Sequence, residues 1–277
     1  MIDLSVVVPA FNEANDLWDM ATNMSPCLDN IVGAGRWQFV IVDNGSSDGT
    51  PESARAIAEK WTTTRLVELP RPDYGNAMYN GICASEGEWA YIINVDFWDQ
   101  VMLTWCWKHR GLYELVLGSK RADMTLNRQF KYRRALSWGL NSILQFFFGF
   151  VGSDTHGQKF IHLPTVRPIA DRCVMRRGQF DTELTLRAAR SGLWLAEVPV
   201  PLAEVRPPRN LMIAKIYRNI VDILRLRKVM KQVPTKAPLR YHRWAREDLL
   251  EGGSRQAQAF LDAAERQRTL DAREISV

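Results

Sequence analysis

The sequence predicts an α/β protein built on a mainly parallel sheet flanked by helices, with basic amphipathic helices toward its C-terminal end. Three observations predict it. Short β-branched runs alternate with helical stretches through the first hundred residues, which implies right-handed crossovers between parallel strands. The polar, turn-rich segments fall after the strands, where such sheets bind ligands. Finally, 46% hydrophobic and 24% charged residues in 277 are the balance of an ordinary globular chain. That balance excludes a disordered tail, a collagen-like fibre and a disulfide-stapled mini-protein.

The elements follow in order. Leu4–Val8 is an apolar run closed by Pro9, the pattern of a strand buried on both faces. Asn12 to Asn23 reads as a helix. Phe39–Val42 is a second strand, and Asp43-Asn44-Gly45-Ser46-Ser47-Asp48-Gly49-Thr50 after it is dense in turn formers and helix caps. Pro51 suits the first turn of a helix that runs to about Trp61. Arg65–Leu69 is a third strand, Asn76 to Ser85 a helix, and Trp89–Val95 a fourth strand ending at Asp96. Leu115–Gly118 is the next strand. From Lys120 to Arg134 six Lys/Arg stand against one acid, and an aromatic helix follows from Ala135 to about Phe150. Gln179 opens a helix reaching about Gly192, and Leu195–Val200 is the last strand expected. Residues 206–246 carry twelve Lys/Arg and one acid; Met212 to Lys231 reads as a basic amphipathic helix, and Ser254 to Arg273 as a charged one.

Charge, cysteines and hydropathy narrow the setting. The net charge is +5 and the four cysteines form no CxxC pair, which argues against zinc and suits a reducing cytoplasm. The longest apolar candidate, Ile143 to Val151, is far short of the roughly 20 residues a membrane span needs, and the N-terminal stretch lacks the pattern of an export signal. The basic residues of 206–246 alternate with a bulky apolar stripe and show no nucleic-acid module, so no nucleic-acid partner is expected.

Three motifs stand in order: Val8-Pro9-Ala10-Phe11-Asn12-Glu13, then Val42-Asp43 through Thr50, then Asn94-Val95-Asp96. Together they resemble family 2 glycosyltransferases of the GT-A (Rossmann-like) fold. Gly118-Ser119-Lys120-Arg121, Asp154-Thr155-His156-Gly157-Gln158-Lys159, Phe180-Asp181-Thr182-Glu183 and Glu197-Val198-Pro199-Val200 resemble the dolichol-phosphate mannose synthase, or polyprenyl-phosphate glycosyltransferase, branch. The resemblance spans about residues 3 to 210. It implies an inverting transfer of a sugar from a nucleotide-diphosphate donor to a polyprenyl phosphate at the cytoplasmic membrane face.

The resemblance also implies roles. Pro9, Ala10, Asn12, Glu13, Asp43, Asn76 and Asn94 fall to the donor, as do Arg206 and Arg209 on its phosphates. Carboxylates such as Glu13 and Asp43 accept hydrogen bonds from ribose or base; the same loop residues are also what a helix-capping turn requires. Asp96 is the metal residue for Mg2+ or Mn2+. Asn94 and Trp98 depart from the family pattern of ligands, and Asp99 is a substitute three residues on. Arg121, Arg133, Ser137 and His156 fall to the acceptor phosphate. Asp96, Asp181 and Glu183 are the catalytic candidates, the last two as positioning groups, or as a base for a hydroxyl acceptor. The same fold acting on a hydroxyl, and a non-catalytic nucleotide binder, are the competing readings. The organisation expected is a transferase domain over 1–205, divided into a nucleotide-sugar half at 1–118 and an acceptor half at 119–205, then basic and charged helices over 206–277. The latter suit an anionic membrane surface.

Overall fold

The computed structural model describes residues 1–120, 122–123, 145–201 and 212–250. Eight strands form one sheet: β1 (Leu4–Ala10), β2 (Trp37–Asp43), β3 (Arg65–Glu68), β4 (Trp89–Ile92), β5 (Leu115–Ser119), β6 (Lys159–His162), β7 (Trp194–Pro199) and β8 (Arg240–Arg243). Their order across the sheet is β3-β2-β1-β4-β6-β5-β7-β8. The helices are α1 (Ala14–Ile31), α2 (Thr50–Lys60), α3 (Tyr74–Ala84), α4 (Gln100–Lys108), α5 (Leu163–Asp171), α6 (Phe180–Arg190) and α7 (Met212–Lys231).

The strand chemistry explains the layers. Every residue of β1 and β2 is buried, as a parallel strand covered on both faces requires. Val6 and Val8 join one core cluster with Leu17, Phe39 and Tyr91, whereas Val7 joins another with Met78, Ile92 and Phe180. The period of two thus distributes one strand between two helical layers.

Register positions the site. Ala10 lies level with Asp43, and Leu4 with Trp89, so the segments following β1, β2 and β4 emerge along one edge. β6 runs antiparallel between β4 and β5. Its first residue, Lys159, therefore pairs with Ile92 at the C-terminal end of β4, which carries the 153–158 loop to the same edge.

Several elements depart from what the sequence predicts. α1 continues through Pro26 to Ile31. An interior proline costs about 3 kcal/mol, but Leu17, Met20, Ala21, Met24 and Leu28 form one buried stripe, and that packing outweighs the break. β6 is four residues long and starts on a lysine, so it carries little strand signal. α4 gains its start from Asp99, whose side chain accepts from the N–H groups of Val101 and Met102, and α5 is masked in sequence by Pro164 and Pro168.

The stretch expected to hold only helices after residue 206 also contributes β8, parallel to β7. Trp244 follows it into the core, donating from Nε1 to the Tyr113 hydroxyl at 3.2 Å. Arg246 then pairs with Asp99 and donates to the Pro199 carbonyl at 3.1 Å. In α7, Ile223, Leu226 and Met230 are buried, so this part of the basic helix spends its apolar stripe on the protein while Leu224, Arg225, Arg227 and Lys228 stay exposed. The basic segment 124–134, most of the expected helix 135–150 and the terminal charged helix lie outside the described residues. Among the described residues no helix is long and apolar enough to cross a membrane.

Candidate active site

Two loops at the sheet edge are stitched together first. Asn12 takes a positive φ of 55°, a conformation asparagine tolerates better than most residues. Its N–H donates to Ser46 Oγ at 3.0 Å, and its Oδ1 accepts from Ser47 N at 2.9 Å. The Glu13 N–H donates to Thr50 Oγ1 at 2.8 Å. Asp48 accepts from Thr50 and from Ala14 N. Burial pushes the Asp48 carboxyl up, but these hydrogen bonds outweigh it and hold the group below its usual range. Pro9 and Ala10 end β1 in the core, and the Ala10 carbonyl accepts from Asn44 N at 2.8 Å. Asp43 is 5% exposed and accepts from Ser46 N at 3.2 Å. The capping and stitching roles therefore fall mainly to Asn12, Ser46, Asp48 and Thr50, with Asp43 at the strand end beside them.

Asn44 carries the loop to the next element, its Oδ1 accepting from Asp73 N at 2.7 Å. Asp73 caps α3 by accepting from Asn76 N. Asn76 is thereby held in the first turn, where its carbonyl and Oδ1 both accept from Asn80 Nδ2. Gly75 between them permits a close approach: a Cβ there would overlap the Arg176 carbonyl oxygen and come within 2.8 Å of Phe180 Cβ. The start of α3 and the start of α6 are thus in contact through a glycine.

That contact assembles the centre of the site. Tyr74 donates to Asn94 Oδ1 at 3.2 Å. Although 40% of Tyr74 is exposed, partial burial and then the charges of Asp181 and Asp96 push its ionisation up, so it remains a neutral donor. Asp96 is exposed on the loop after β4. Asp181 is 2% exposed at the start of α6, and Lys159 Nζ lies 3.3 Å from its Oδ2. His156 belongs to the same cluster. Burial pushes its imidazole down, Asp181 and Asp154 pull it up, and Lys159 and Lys120 push it down again, with a net lowering. Its Nδ1 lies 3.1 Å from Thr155 Oγ1, which in turn is 3.0 Å from Thr182 Oγ1.

Glu183, expected beside Asp181, is turned elsewhere. Its Oε2 accepts from Val174 N at 2.9 Å and Met175 N at 2.6 Å, and its Oε1 from Arg187 Nε at 2.7 Å. Two residues apart on a helix point to opposite sides, and the carboxylate is spent on anchoring the 174–175 turn. Asp99 is likewise engaged, by the α4 cap and Arg246, and so supplies no replacement metal ligand. Arg121, Arg133, Ser137, Arg206 and Arg209 lie outside the described residues. Tyr74, Asp154 and Lys159 are the site residues the sequence reading passes over. The last two lie in the very segment quoted for His156, and only the antiparallel β6 reveals where they go.

Among the described residues no three His, Cys, Asp or Glu side chains form a metal cage. Asp96 offers a single exposed carboxylate, and the Asn94 amide oxygen is engaged by Tyr74. One protein carboxylate fits a hard cation that takes its other ligands from water and substrate phosphates, as Mg2+ sites do.

A depressed histidine makes acid stability testable. His109, His156 and His242 are all held below 6.5, chiefly by burial. The unfolded chain then binds protons that the folded one does not, so stability is full above about pH 6.5 and declines as the pH falls below it. Urea midpoints at pH 7.5 and 5.5 should show this decline, and His156→Gln should shrink it; an undiminished decline would contradict the burial.

A Rossmann-like sheet with β6 inserted antiparallel, and acids gathered at the ends of β1, β2 and β4, is the GT-A arrangement. Residues 5–103, from β1 into α4, match the family model Glycosyl transferase family 2, and with the relatives that follow this makes the protein a glycosyltransferase. The chain is 26% identical over 243 residues to a dolichyl-phosphate beta-glucosyltransferase of Dictyostelium discoideum, covering 82% of this chain and 74% of the relative. It is 26% identical to glycosyltransferase AglD of Haloferax volcanii, over 72% of this chain and 33% of the relative. A glucosyl-3-phosphoglycerate synthase of Mycobacterium tuberculosis is 30% identical over 96 residues, 34% of this chain and 28% of the relative. Among solved structures, the fold is similar to mannosyltransferase PcManGT from Pyrobaculum calidifontis in complex with GDP-Man and Mn2+, with TM-score 0.53 and 20% identity over 93% of this chain and 69% of that one. Mannosyl-3-phosphoglycerate synthase from Rubrobacter xylanophilus also gives 0.53, at 14% identity over 83% and 74%.

Proposed function

We propose that the protein transfers a sugar from a nucleoside-diphosphate donor to a polyprenyl phosphate at the cytoplasmic face of a membrane, with inversion at the anomeric carbon. The 1–118 half holds the donor and the 119–205 half the acceptor. The observation that carries the lipid acceptor is an exposed apolar face on the elements that lead into the acid centre. Phe146, Val151 and Leu239 are exposed at 83%, 46% and 41%. Beside them a cavity of about 180 Å³ is lined by Phe148, Phe150, Leu186 and Tyr241. Leu186 lies five residues along α6 from Asp181, about 8 Å on at the helical rise and about 140° around the helix, and Val151 leads directly into the Asp154–His156 turn, so this face is linked to the acid centre through α6 and that turn. The exposed Arg225, Arg227 and Lys228 of α7 suit an anionic surface at that end. The dolichyl-phosphate relative supports the same acceptor.

In this reading Asn12, Glu13, Asp43 and Asn76 bind the nucleoside, and Asp96 holds a divalent cation, Mg2+ or Mn2+, that neutralises the diphosphate. Arg206 and Arg209 add charge there, and Arg121, Arg133, Ser137 and His156 receive the acceptor phosphate. A phosphomonoester is already anionic near neutral pH, so its oxygen attacks the sugar without a strong base, and Asp181 positions sugar hydroxyls.

The test is transfer by purified protein from UDP-glucose and GDP-mannose to a short polyprenyl phosphate or to 3-phosphoglycerate, with and without EDTA. A lipid-linked product lost with EDTA is expected. Product on 3-phosphoglycerate alone would move the reading to a hydroxyl acceptor, and nucleotide binding with no product would leave a non-catalytic binder.

A further inference from the structure

Asp181 is a buried carboxylate whose two oxygens have no hydrogen-bond donor among the described residues. An ionised carboxylate offers about four acceptor positions, and leaving them empty away from water is costly. Among the described residues its ion-pair partner is Lys159, which is itself 0% exposed and approaches Oδ2 to 3.3 Å without a hydrogen-bonding geometry. The ammonium instead donates to the Gly157 carbonyl at 2.9 Å. Lys159 therefore supplies charge to Asp181 while leaving its lone pairs available.

The surroundings fix what can fill them. The charge of Asp181 reaches Tyr74 from α3 and His156 from the turn before β6; Asp96 from the loop after β4 acts on the same tyrosine, and Asp154 and Lys120 act on the same histidine. His156 is neutral and Tyr74 protonated at pH 7, so Lys159 is the adjacent positive charge that balances Asp181. A ligand with several neutral O–H donors matches this arrangement. An anionic one would meet the carboxylate at close range.

We infer that Lys159 is a positioning residue that holds Asp181 so that its two buried, unpartnered oxygens are left for the hydroxyls of the transferred sugar. The pair thus reads the sugar part of the donor and not its nucleotide. The inference rests on the transferase reading above, but it does not depend on which acceptor is used.

The experiment compares binding of UDP with UDP-glucose, and of GDP with GDP-mannose, by calorimetry. It uses the full chain and its Lys159→Met, Lys159→Arg and Asp181→Asn variants. In Lys159→Met, Asp181 loses the cation 3.3 Å from its Oδ2. Affinity for the nucleotide sugar should fall about tenfold, the scale of a lost charge-assisted hydrogen bond. Affinity for the bare nucleotide should stay within about twofold, since no nucleotide contact is removed. Lys159→Arg should retain most of the binding. Asp181→Asn should show the same loss, and it carries the test should Lys159→Met not fold. Equal losses for nucleotide and nucleotide sugar, or full nucleotide-sugar affinity in Lys159→Met, would overturn the inference. So would full nucleotide-sugar affinity in Asp181→Asn. Absence of transfer to polyprenyl phosphate by the wild type would instead defeat the acceptor reading and leave this comparison standing. No binding of any nucleotide sugar would defeat both.

Discussion

Asp96→Ala is expected to lower sugar transfer by about two to three orders of magnitude, the usual cost of removing a group that stabilises developing charge on a leaving group. The side chain is exposed at the sheet edge, so the fold should tolerate the change and the melting temperature should stay nearly constant. The expected size follows from the site's composition. Where a pair of acids is the family pattern, this chain has Asn94, whose amide oxygen accepts from Tyr74. Asp99, the other acid of that loop, is tied to Arg246. Asp96 thus stands as the carboxylate of the loop exposed to a cation. Initial rates with saturating donor, at several Mn2+ and Mg2+ concentrations, check the prediction. Transfer within about threefold of wild type would place the burden of the diphosphate elsewhere, which is a far smaller effect than losing such a group.

Gly157→Ala is expected to be the most disruptive single methyl group in the molecule's polar half. A Cβ there would overlap the carbonyl oxygen of Gly118 in β5. That strand cannot retreat, because Gly118 N donates to the Gln158 carbonyl at 2.8 Å and Ser119 pairs in register with Pro199. The Gly157 carbonyl is also the acceptor for Lys159, so any shift releases the ammonium beside Asp181. Overpacking against backbone costs about 3 kcal/mol or more. For a domain of this size that is a drop of roughly 6–12 °C in melting temperature, with loss of transfer in the surviving folded fraction. A melt within about 2 °C of wild type, a shift worth under 1 kcal/mol, would contradict the close approach of β5 and the 157 turn.

These two positions show how unevenly the sequence discloses the site. β1, β2 and β4 are legible because each is a dense apolar run that ends in a polar loop, and their shared edge follows from parallel pairing. Asp96 was visible for that reason. Gly157 and Lys159 lie at a junction that periodicity does not mark, since β6 is short, antiparallel and opened by a charged residue. Asp181 and Glu183 look equivalent in the chain, and only their partners separate them. One lies beside Lys159 with neither oxygen hydrogen-bonded among the described residues, whereas the other is saturated by two backbone N–H groups and Arg187. Tyr74 gave no signal because an aromatic residue at a helix start is ordinary; its meaning comes from Asn94 across the sheet edge.

The Asp99–Arg246 pair carries a consequence for the order in which the enzyme matures on the ribosome. The loop bearing Asp96 begins about 150 residues before the arginine that ties it down, counting from Asn94 to Arg246. While the nascent chain is shorter than that, Asp99 caps α4 but has no guanidinium opposite it, and the Trp244 slot against Tyr113 stands open. The loop after β4 therefore acquires its last anchor only when the 240–246 segment emerges and β8 joins the sheet, so a chain stopped short of Arg246 keeps the α4 cap but lacks the guanidinium opposite Asp99.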